Sequence, residues 1–293
     1  MGHHALMNDG NPGPVCGLAA ASGAEPVAPQ RLQRAEGRLE LKVKLADGRT
    51  RLADLHQAGC LKLRFPRVAG VTSEAVLINT SGGLTGGDRL DQGFAVGAGA
   101  SLSVTTQACE RIYRASSDEA RVTTRLRVGE GGFLAWLPQE TILFDEGALS
   151  RRLDLDAATD AGFVISESVI LGREMMGEDV ANGSFRESWR IRVGGRLIFA
   201  EETRLDGAIA EQTRAAASLA GNRAFATLVA RREAPETLIE DLRTVIGEAG
   251  GASLVDGLIV ARIVAPSGYL LRRRLVPAIA ALAKTAVPRI WSL

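Results

Sequence analysis

The sequence is poor in the residues that bind metals tightly or form disulfides. Its 293 residues include three cysteines and three histidines, and His3 and His4 lie at the extreme N-terminus. A small, odd number of cysteines without regular spacing disfavours a disulfide framework and predicts a reducing, cytoplasmic location. His56 is the one other histidine, and HExxH, CxxC and histidine-rich motifs are absent. A tight structural metal site is therefore not expected.

The chain also lacks an excess of charge of either sign and a membrane-like hydrophobic run. It has 35 Lys and Arg against 34 Asp and Glu, a balance that disfavours a nucleic-acid or anionic-membrane partner. The uncharged stretch 92–109 contains Gly, Ser, Thr and Gln throughout and is too polar to span a bilayer. The phosphate-binding motif G-x-x-x-x-G-K-[ST] is absent, so hydrolysis of GTP or ATP by this chain is not expected.

Short alternating runs of apolar residues dominate the sequence after residue 36. Leu39, Leu41, Val43 and Leu45 alternate with polar residues, and Asp47-Gly48 then predicts a tight turn. Similar runs recur at short intervals to about residue 200, separated by glycines, which number 33 in all. This pattern predicts an all-β or mainly β fold with many short strands.

Helical spacing is confined to the C-terminal third. Leu238, Leu242 and Val245 predict a helix over 235–249, and an apolar face predicts another over 270–283. Pro277 conflicts with the second helix, because proline inside a helix kinks it or marks its true start. Residues 1–36 lack periodicity and predict a disordered tail. Residues 37–293 are expected to form a single domain.

Three segments are candidates for chemistry, and each also has a structural interpretation. GGLTGGD at 82–88 has a phosphate-loop composition, but Asp88 would repel phosphate, so a structural loop or interaction surface is favoured. Cys109 would need a nearby base to act as a nucleophile. His56, Cys60 and Asp54 form a loosely spaced set of possible metal ligands, for which unrelated positions in a loop are the simpler interpretation.

Taken together and in order, several segments resemble the UreD (UreH) urease accessory family. They are NTSGGLTGGDRL at 79–90, TTQACERIYRA at 105–115 and WLPQETILFD at 136–145, with further matches at 171–178, 187–207 and 288–291. The resemblance runs from about Gly37 to the C-terminus. Cys109 departs from the alanine that such proteins often carry, so the thiol has no implied family role.

The resemblance implies a non-enzymatic, cytoplasmic urease maturation factor, a chaperone or scaffold. Such proteins bind a helical UreF partner and, through it, a UreG GTPase, and the assembly helps insert nickel into apo-urease. The implied fold stacks the strands in an elongated, β-helix-like sandwich with two helices near the end. The alternatives are a small-molecule-binding β protein, disfavoured by an aromatic content of 4%, and a cysteine-dependent hydrolase.

No tightly bound cofactor is expected, but a nickel-delivery role predicts weak, transient metal contacts. Oxygen ligands hold nickel less tightly than imidazole or thiolate, which suits a protein that must release its cargo. The predicted contacts are the carboxylates near the family motifs: Asp88, Glu110, Glu140, Asp145 and Glu178. Ion pairing with nearby arginines is the alternative interpretation of each. The segment 270–293, with its basic rim, is predicted to bind the helical partner.

Overall fold

A computed structural model describes residues 33–67, 72–283 and 287–292 of the chain. Internal contacts separate Met1–Gln33 from Arg34–Leu293, and the second unit contains the strands and helices of the described residues. The predicted disordered tail lies outside the described residues up to residue 32. The first strand begins at Glu36, the last residue assigned to that tail.

The strands form two sheets. The first sheet has seven strands, in the spatial order β14 (Arg196–Gly207), β13 (Gly183–Val193), β11 (Ala148–Ala157), β8 (Ala120–Val128), β5 (Arg89–Val96), β1 (Glu36–Ala46) and β2 (Arg49–Gly59). The main path of the second sheet is β16 (Gly250–Val255), β17 (Leu258–Ala265), β15 (Ala224–Arg231), β12 (Gly162–Leu171), β9 (Phe133–Leu137), β6 (Ser101–Thr106), β4 (Ser73–Asn79) and β3 (Leu61–Arg64).

The chain passes back and forth between these sheets, and each pass stacks on the one before. In the first sheet β1, β5, β8, β11 and β13 pair in parallel. In the second sheet β4, β6, β9 and β12 do the same. Antiparallel hairpins flank the coils, with β2 beside β1 and β14 beside β13. The stacked coils resemble a β-solenoid and confirm the predicted mainly β fold.

The connections from the second sheet to the first also stack. β10 (Thr141–Leu143) pairs in parallel with β7 (Glu110–Ile112) on one side and with residues 169–171 of β12 on the other. A parallel bridge joins Leu84 to Ile112 and extends the series by one coil. We call this stack of β7, β10, residues 169–171 and Leu84 the corner ladder.

Alternation along the strands explains the core between the sheets. In β11 the buried residues Leu149, Leu153 and Leu155 point inward, and their neighbours Ser150 and Arg152 are more exposed. The tight turn between β1 and β2 is confirmed, with Asp47 at φ 52° and Gly48 at φ 67°, angles typical of a hairpin turn that matches the strand twist.

The helices are α1 (Ile209–Arg214), α2 (Pro235–Ile246) and α3 (Gly268–Leu282), with short 3-10 turns at Glu174–Met176, Gly247–Ala249 and Arg289–Ser292. The two predicted helices are confirmed as α2 and α3, whereas the sequence pattern missed α1. Ser267 caps the N-terminus of α3, where its side chain accepts a hydrogen bond from the Leu270 amide, and the helix continues through Pro277.

The helices α2 and α3 cover the second sheet. Leu242 of α2 and Leu271 and Leu275 of α3 share a core with Phe133 and Ala135 of β9. This second core lies on the opposite face of the sheet from the core between the sheets. Among the described residues, none of the helices is long and apolar enough to cross a membrane.

Candidate functional site: a charged cavity beside the corner ladder

A cavity of about 310 Å³ lies between the two sheets next to the corner ladder. Gln92 and Arg151 line it from the first sheet, Trp136 and Glu167 from the second, and Glu110 from the corner ladder. Its volume is at the lower end of the range for small-molecule pockets, about 300–1,000 Å³. Polar and charged side chains therefore occupy inward positions of the strands, where alternation leads us to expect apolar side chains.

A buried ion-pair network, centred on Arg151, forms one wall of the cavity. Its guanidinium lies 2.7 Å from Glu167 Oε2 and 2.6 Å from Glu187 Oε1. Arg151 Nη1 also donates to Thr141 Oγ1 at 2.9 Å, and Trp136 Nε1 donates to Glu167 Oε1 at 2.9 Å. The three charged side chains are each less than 10% exposed. Such burial is costly unless the charges are paired, so the network depends on its geometry.

The network carries more negative than positive charge. Arg151 faces two carboxylates directly, and the nearby Glu110 acts on it as a third charge. Burial raises the pKa of Glu167 to about 7, although the charge of Arg151 opposes that rise. Gln92, only 5% exposed, has a buried side-chain oxygen without a hydrogen-bond partner among the described residues. The network thus holds more carboxylates than arginines, and the cavity wall has one side-chain oxygen without a hydrogen-bond partner among the described residues.

Glu110 lies between this network and the surface. It is the first residue of β7, and its carboxylate accepts hydrogen bonds from Asn79 Nδ2 at 3.1 and 3.2 Å. Burial raises its pKa to about 7, and the hydrogen bonds from Asn79 limit the rise. Near neutral pH the carboxyl group is therefore only partly ionised. Gln107 and Ala108, which also line the cavity, are exposed and place its mouth on the same side.

Glu140 directly precedes β10 and lies beside Glu110. Its backbone carbonyl accepts a hydrogen bond from the Glu110 amide at 3.0 Å. Its side chain is 1% exposed and forms a two-pronged ion pair with Arg272 of α3, at 2.7 and 2.8 Å. The structure therefore brings two of the five predicted carboxylates together, one facing the cavity and the other bound by an arginine.

The other three predicted carboxylates hold loops in place. Asp88 accepts hydrogen bonds from the amides of Ala35 and Thr85, both at 2.8 Å. Asp145 Oδ1 accepts from the amides of residues 181 and 182 at 2.8 and 3.0 Å. Glu178 pairs with Arg173 at 2.8 Å, and this contact lowers the pKa of the carboxyl group. Nickel contact at these three residues stays a prediction, and each already has a structural role.

Cys109 lies in surroundings that suppress thiol chemistry. Its sulfur is 3.4 Å from Glu140 Oε2, and burial raises the pKa of the thiol to about 11, with the negative charge of Glu140 adding to the rise. A nucleophilic cysteine needs the opposite, a lowered pKa and an adjacent base. His56 lies on β2 of the first sheet, paired with Glu40, whereas Cys109 lies outside both sheets, directly before β7. This geometry disfavours the cysteine-dependent hydrolase.

The glycine-rich loop at 82–88 packs against the next coil. A Cβ atom on Gly83, where φ is +148°, would lie 2.4 Å from the Tyr113 ring and 2.8 Å from the Arg111 carbonyl oxygen. One on Gly86 would lie 2.0 Å from the Ser117 carbonyl oxygen. Larger residues are excluded at both positions, so the structural interpretation of this motif accounts for these two of its glycines.

Sequence reasoning missed Arg151, Glu167 and Glu187. A signal was present, because each occupies an inward position of its strand. In β11, Arg151 lies on the same face of the strand as the buried Leu149 and Leu153. In β13, Glu187 lies on the same face as the buried Phe185 and Trp189. A charged residue at a core position on successive strands indicates a buried polar site.

The weaker metal-ligand candidates, His56, Cys60 and Asp54, do not form one site in the structure. Asp54 pairs with Lys42 at 3.3 Å on the exposed hairpin of β1 and β2, whereas Cys60 lies beside Gly37. Within the part of the chain that the structure describes, no group of three or more His, Cys, Asp or Glu side chains is placed to hold a metal ion. A closed metal site of the kind that binds zinc would require such a group.

Comparison with known proteins places the chain in a family. The family model described as UreD urease accessory protein matches residues 35–292. The chain is 50% identical over 275 residues to the urease accessory protein UreD of Agrobacterium fabrum, covering 93% of this chain and 97% of that protein. It is 51% identical over 268 residues to the UreD protein of Rhizobium leguminosarum bv. viciae, covering 91% and 98%. The chain belongs to the UreD urease accessory protein family.

Proposed function

We propose that this chain is a non-enzymatic scaffold that acts in the cytoplasm to help insert nickel into apo-urease. It does so in a complex with a helical UreF-like protein and a UreG-like GTPase. Membership of the UreD family carries this proposal, because the relatives bear the name urease accessory protein over nearly the whole length of the chain.

Two features of the chain support a role without chemistry of its own. The sequence has no phosphate-binding G-x-x-x-x-G-K-[ST] motif, which agrees with GTP hydrolysis by a partner. The thiol of Cys109 has a raised pKa and a carboxylate for its neighbour, which opposes nucleophilic catalysis.

Nickel is the cargo of the proposed reaction, and Glu110 is the residue we propose to contact it first. Its carboxylate lines the charged cavity, close to the exposed mouth residues Gln107 and Ala108. Glu140 lies beside Glu110, but its carboxylate is bound to Arg272. Carboxylate ligands without imidazole or thiolate allow release to a tighter site in urease.

Co-expression tests the assembly. The chain, with and without a UreF-like helical protein, is purified and run on size-exclusion chromatography. A stable complex that recruits a UreG-like GTPase is expected, and hydrolysis of GTP should need the GTPase. A folded chain that binds neither protein, or that hydrolyses GTP alone, would contradict the proposal.

The variant Glu110→Gln tests the nickel contact. It keeps the size and the hydrogen-bonding oxygen of the side chain but removes the charge, so urease matured with it should contain less nickel. Glu146→Gln is a matched control, because Glu146 forms a surface ion pair with Arg114. Equal nickel contents with both variants, in complexes that assemble normally, would show that Glu110 is structural.

A further inference from the structure

One arginine of α3 reaches from the helical layer to the segment that precedes β10. Arg272 binds both carboxylate oxygens of Glu140, at 2.7 and 2.8 Å, and also donates to the side-chain oxygen of Gln139. Its guanidinium lies 5.2 Å from the ring centroid of Trp291, whose Nε1 donates to the Leu137 carbonyl oxygen at 3.1 Å. The C-terminal part of the chain thus holds the segment that connects β9 to β10.

This connecting segment, residues 138–140, forms part of the cavity wall. Pro138 and Gln139 line the cavity, and Glu140 contacts the cavity-lining Cys109. The segment belongs to neither β9 nor β10, so regular sheet pairing does not fix it. The three residues are buried, and the other backbone contacts of the segment are single hydrogen bonds: the Gln139 amide donates to Thr106 Oγ1 at 2.8 Å, and the Glu140 carbonyl accepts from the Glu110 amide at 3.0 Å.

The ion pair with Arg272 is what allows Glu140 to be buried. The carboxylate is 1% exposed, and within the described residues its recorded cationic partner is Arg272. Without that partner, a buried charge must take up a proton or move into water. Movement into water would draw residues 138–140 away from Cys109 and open the wall.

We propose that Arg272 is a latch that holds residues 138–140 closed over Cys109, so that the position of the first turns of α3 controls access to the cavity. Arg272 is in this sense a positioning residue that acts through Glu140. The interpretation of the cavity as a route for nickel rests on the proposed function. The accessibility of Cys109, which the latch would control, can be measured without urease.

The test uses the full-length chain with Cys16→Ser and Cys60→Ser, which leaves Cys109 as the single thiol. Modification by N-ethylmaleimide is followed over time by intact mass. Arg272→Ala should be modified about tenfold faster or more, because local opening exposes the thiol. Arg273→Ala, which changes the exposed neighbour on the same helix, is the matched control and should react at the parent rate.

The test reads geometry, because the reagent must reach the Cys109 sulfur, which lies 3.4 Å from Glu140 Oε2 in the closed wall. Faster modification reports opening of the wall, and an equal or slower rate in folded Arg272→Ala would overturn the proposal.

A second variant protects the test against loss of folding. Circular dichroism melting shows whether Arg272→Ala is folded at the labelling temperature. If it is not, the labelling rate of Arg272→Lys is compared with that of the parent instead. Lysine keeps the charge but cannot bridge both carboxylate oxygens and Gln139, so its rate should exceed that of the parent. A folded Arg272→Lys that reacts at the parent rate would refute the latch but leave the urease role intact. Failure of urease maturation with a working latch would contradict the proposed function instead.

Discussion

Arg151 shows how strongly a single residue can determine the stability of this fold. Replacing it with alanine leaves Glu167 and Glu187 buried without their cation. We expect Arg151→Ala to lower the free energy of unfolding by about 3–5 kcal/mol in urea denaturation near neutral pH. Arg152→Ala is the control, because Arg152 has the next position on the strand but an exposed side chain paired with Asp154. Its effect should be below about 1 kcal/mol, and equal effects would contradict the role of the network.

The pKa of Glu110 gives stability a defined pH dependence. Burial raises this pKa from its ordinary value of 4.5 to about 7 in the folded protein. Between these values the folded state holds a proton that the unfolded state has released, so the free energy of unfolding falls as pH rises through this window. Relative to Glu110→Gln, the wild type should lose on the order of 3 kcal/mol across the window. Urea denaturation near pH 4.5 and above pH 7 measures the difference, and parallel pH profiles would contradict the shift.

Sequence reasoning identified Glu110 and Glu140 by their place in the motifs, but it could not identify their different environments. Strand alternation predicts which residues point inward, and the inward charges Arg151, Glu167 and Glu187 were visible by that rule. Which of these side chains meet depends on the stacking of the coils. That stacking brings residues from β11, β12 and β13 together across the core, over separations that local patterns do not encode.

At the scale of elements, α3 is a structural helix with an exposed first turn. Leu271, Leu275 and Ile279 are fully buried against the second sheet, so deleting residues 270–293 would damage the fold and could not test partner binding cleanly. Arg273 of the predicted segment is exposed and remains available to a partner. Tyr269, one residue before that segment, is 71% exposed and lies close to it on the same helix.

Surface variants test that interface without damaging the core. The double variant Tyr269→Ser/Arg273→Glu should weaken binding of the UreF-like protein by about tenfold, because exposed aromatic and arginine side chains often dominate interfaces. Leu45→Ser, an exposed apolar position at the end of β1, is the control. Binding is measured by isothermal titration calorimetry, and unchanged affinity in a folded double variant would show that the partner binds elsewhere.

The apolar spacing of the sequence identified the longer helices α2 and α3, but it missed the short helix α1. For α2, the predicted face Leu238, Leu242 and Val245 is partly correct, because Ile239, Leu242 and Ile246 are the buried residues. Both sets have helical spacing, and only packing against the second sheet selects between them. The six-residue α1 is too short to produce a recognisable periodic pattern.

At the scale of the whole molecule, the sequence predicted the strand content better than the arrangement of the strands. Alternation indicates that a strand has one buried face, but it does not indicate which strand lies beside it. The parallel neighbours β5 and β8, or β6 and β9, are about one coil apart in sequence, and their pairing depends on the turns and corners between them. The stacked arrangement was therefore predicted from the family resemblance and not from periodicity.

The nickel content of urease tests the central claim most directly. Urease is produced in matched cells that contain or lack this chain, with the UreF-like and UreG-like proteins present in both, and its nickel is measured by inductively coupled plasma mass spectrometry. We expect nearly full nickel content with the chain, very little without it, and an intermediate value with Glu110→Gln. Equal nickel content in the presence and absence of the chain, at the same limiting nickel supply, would contradict the account.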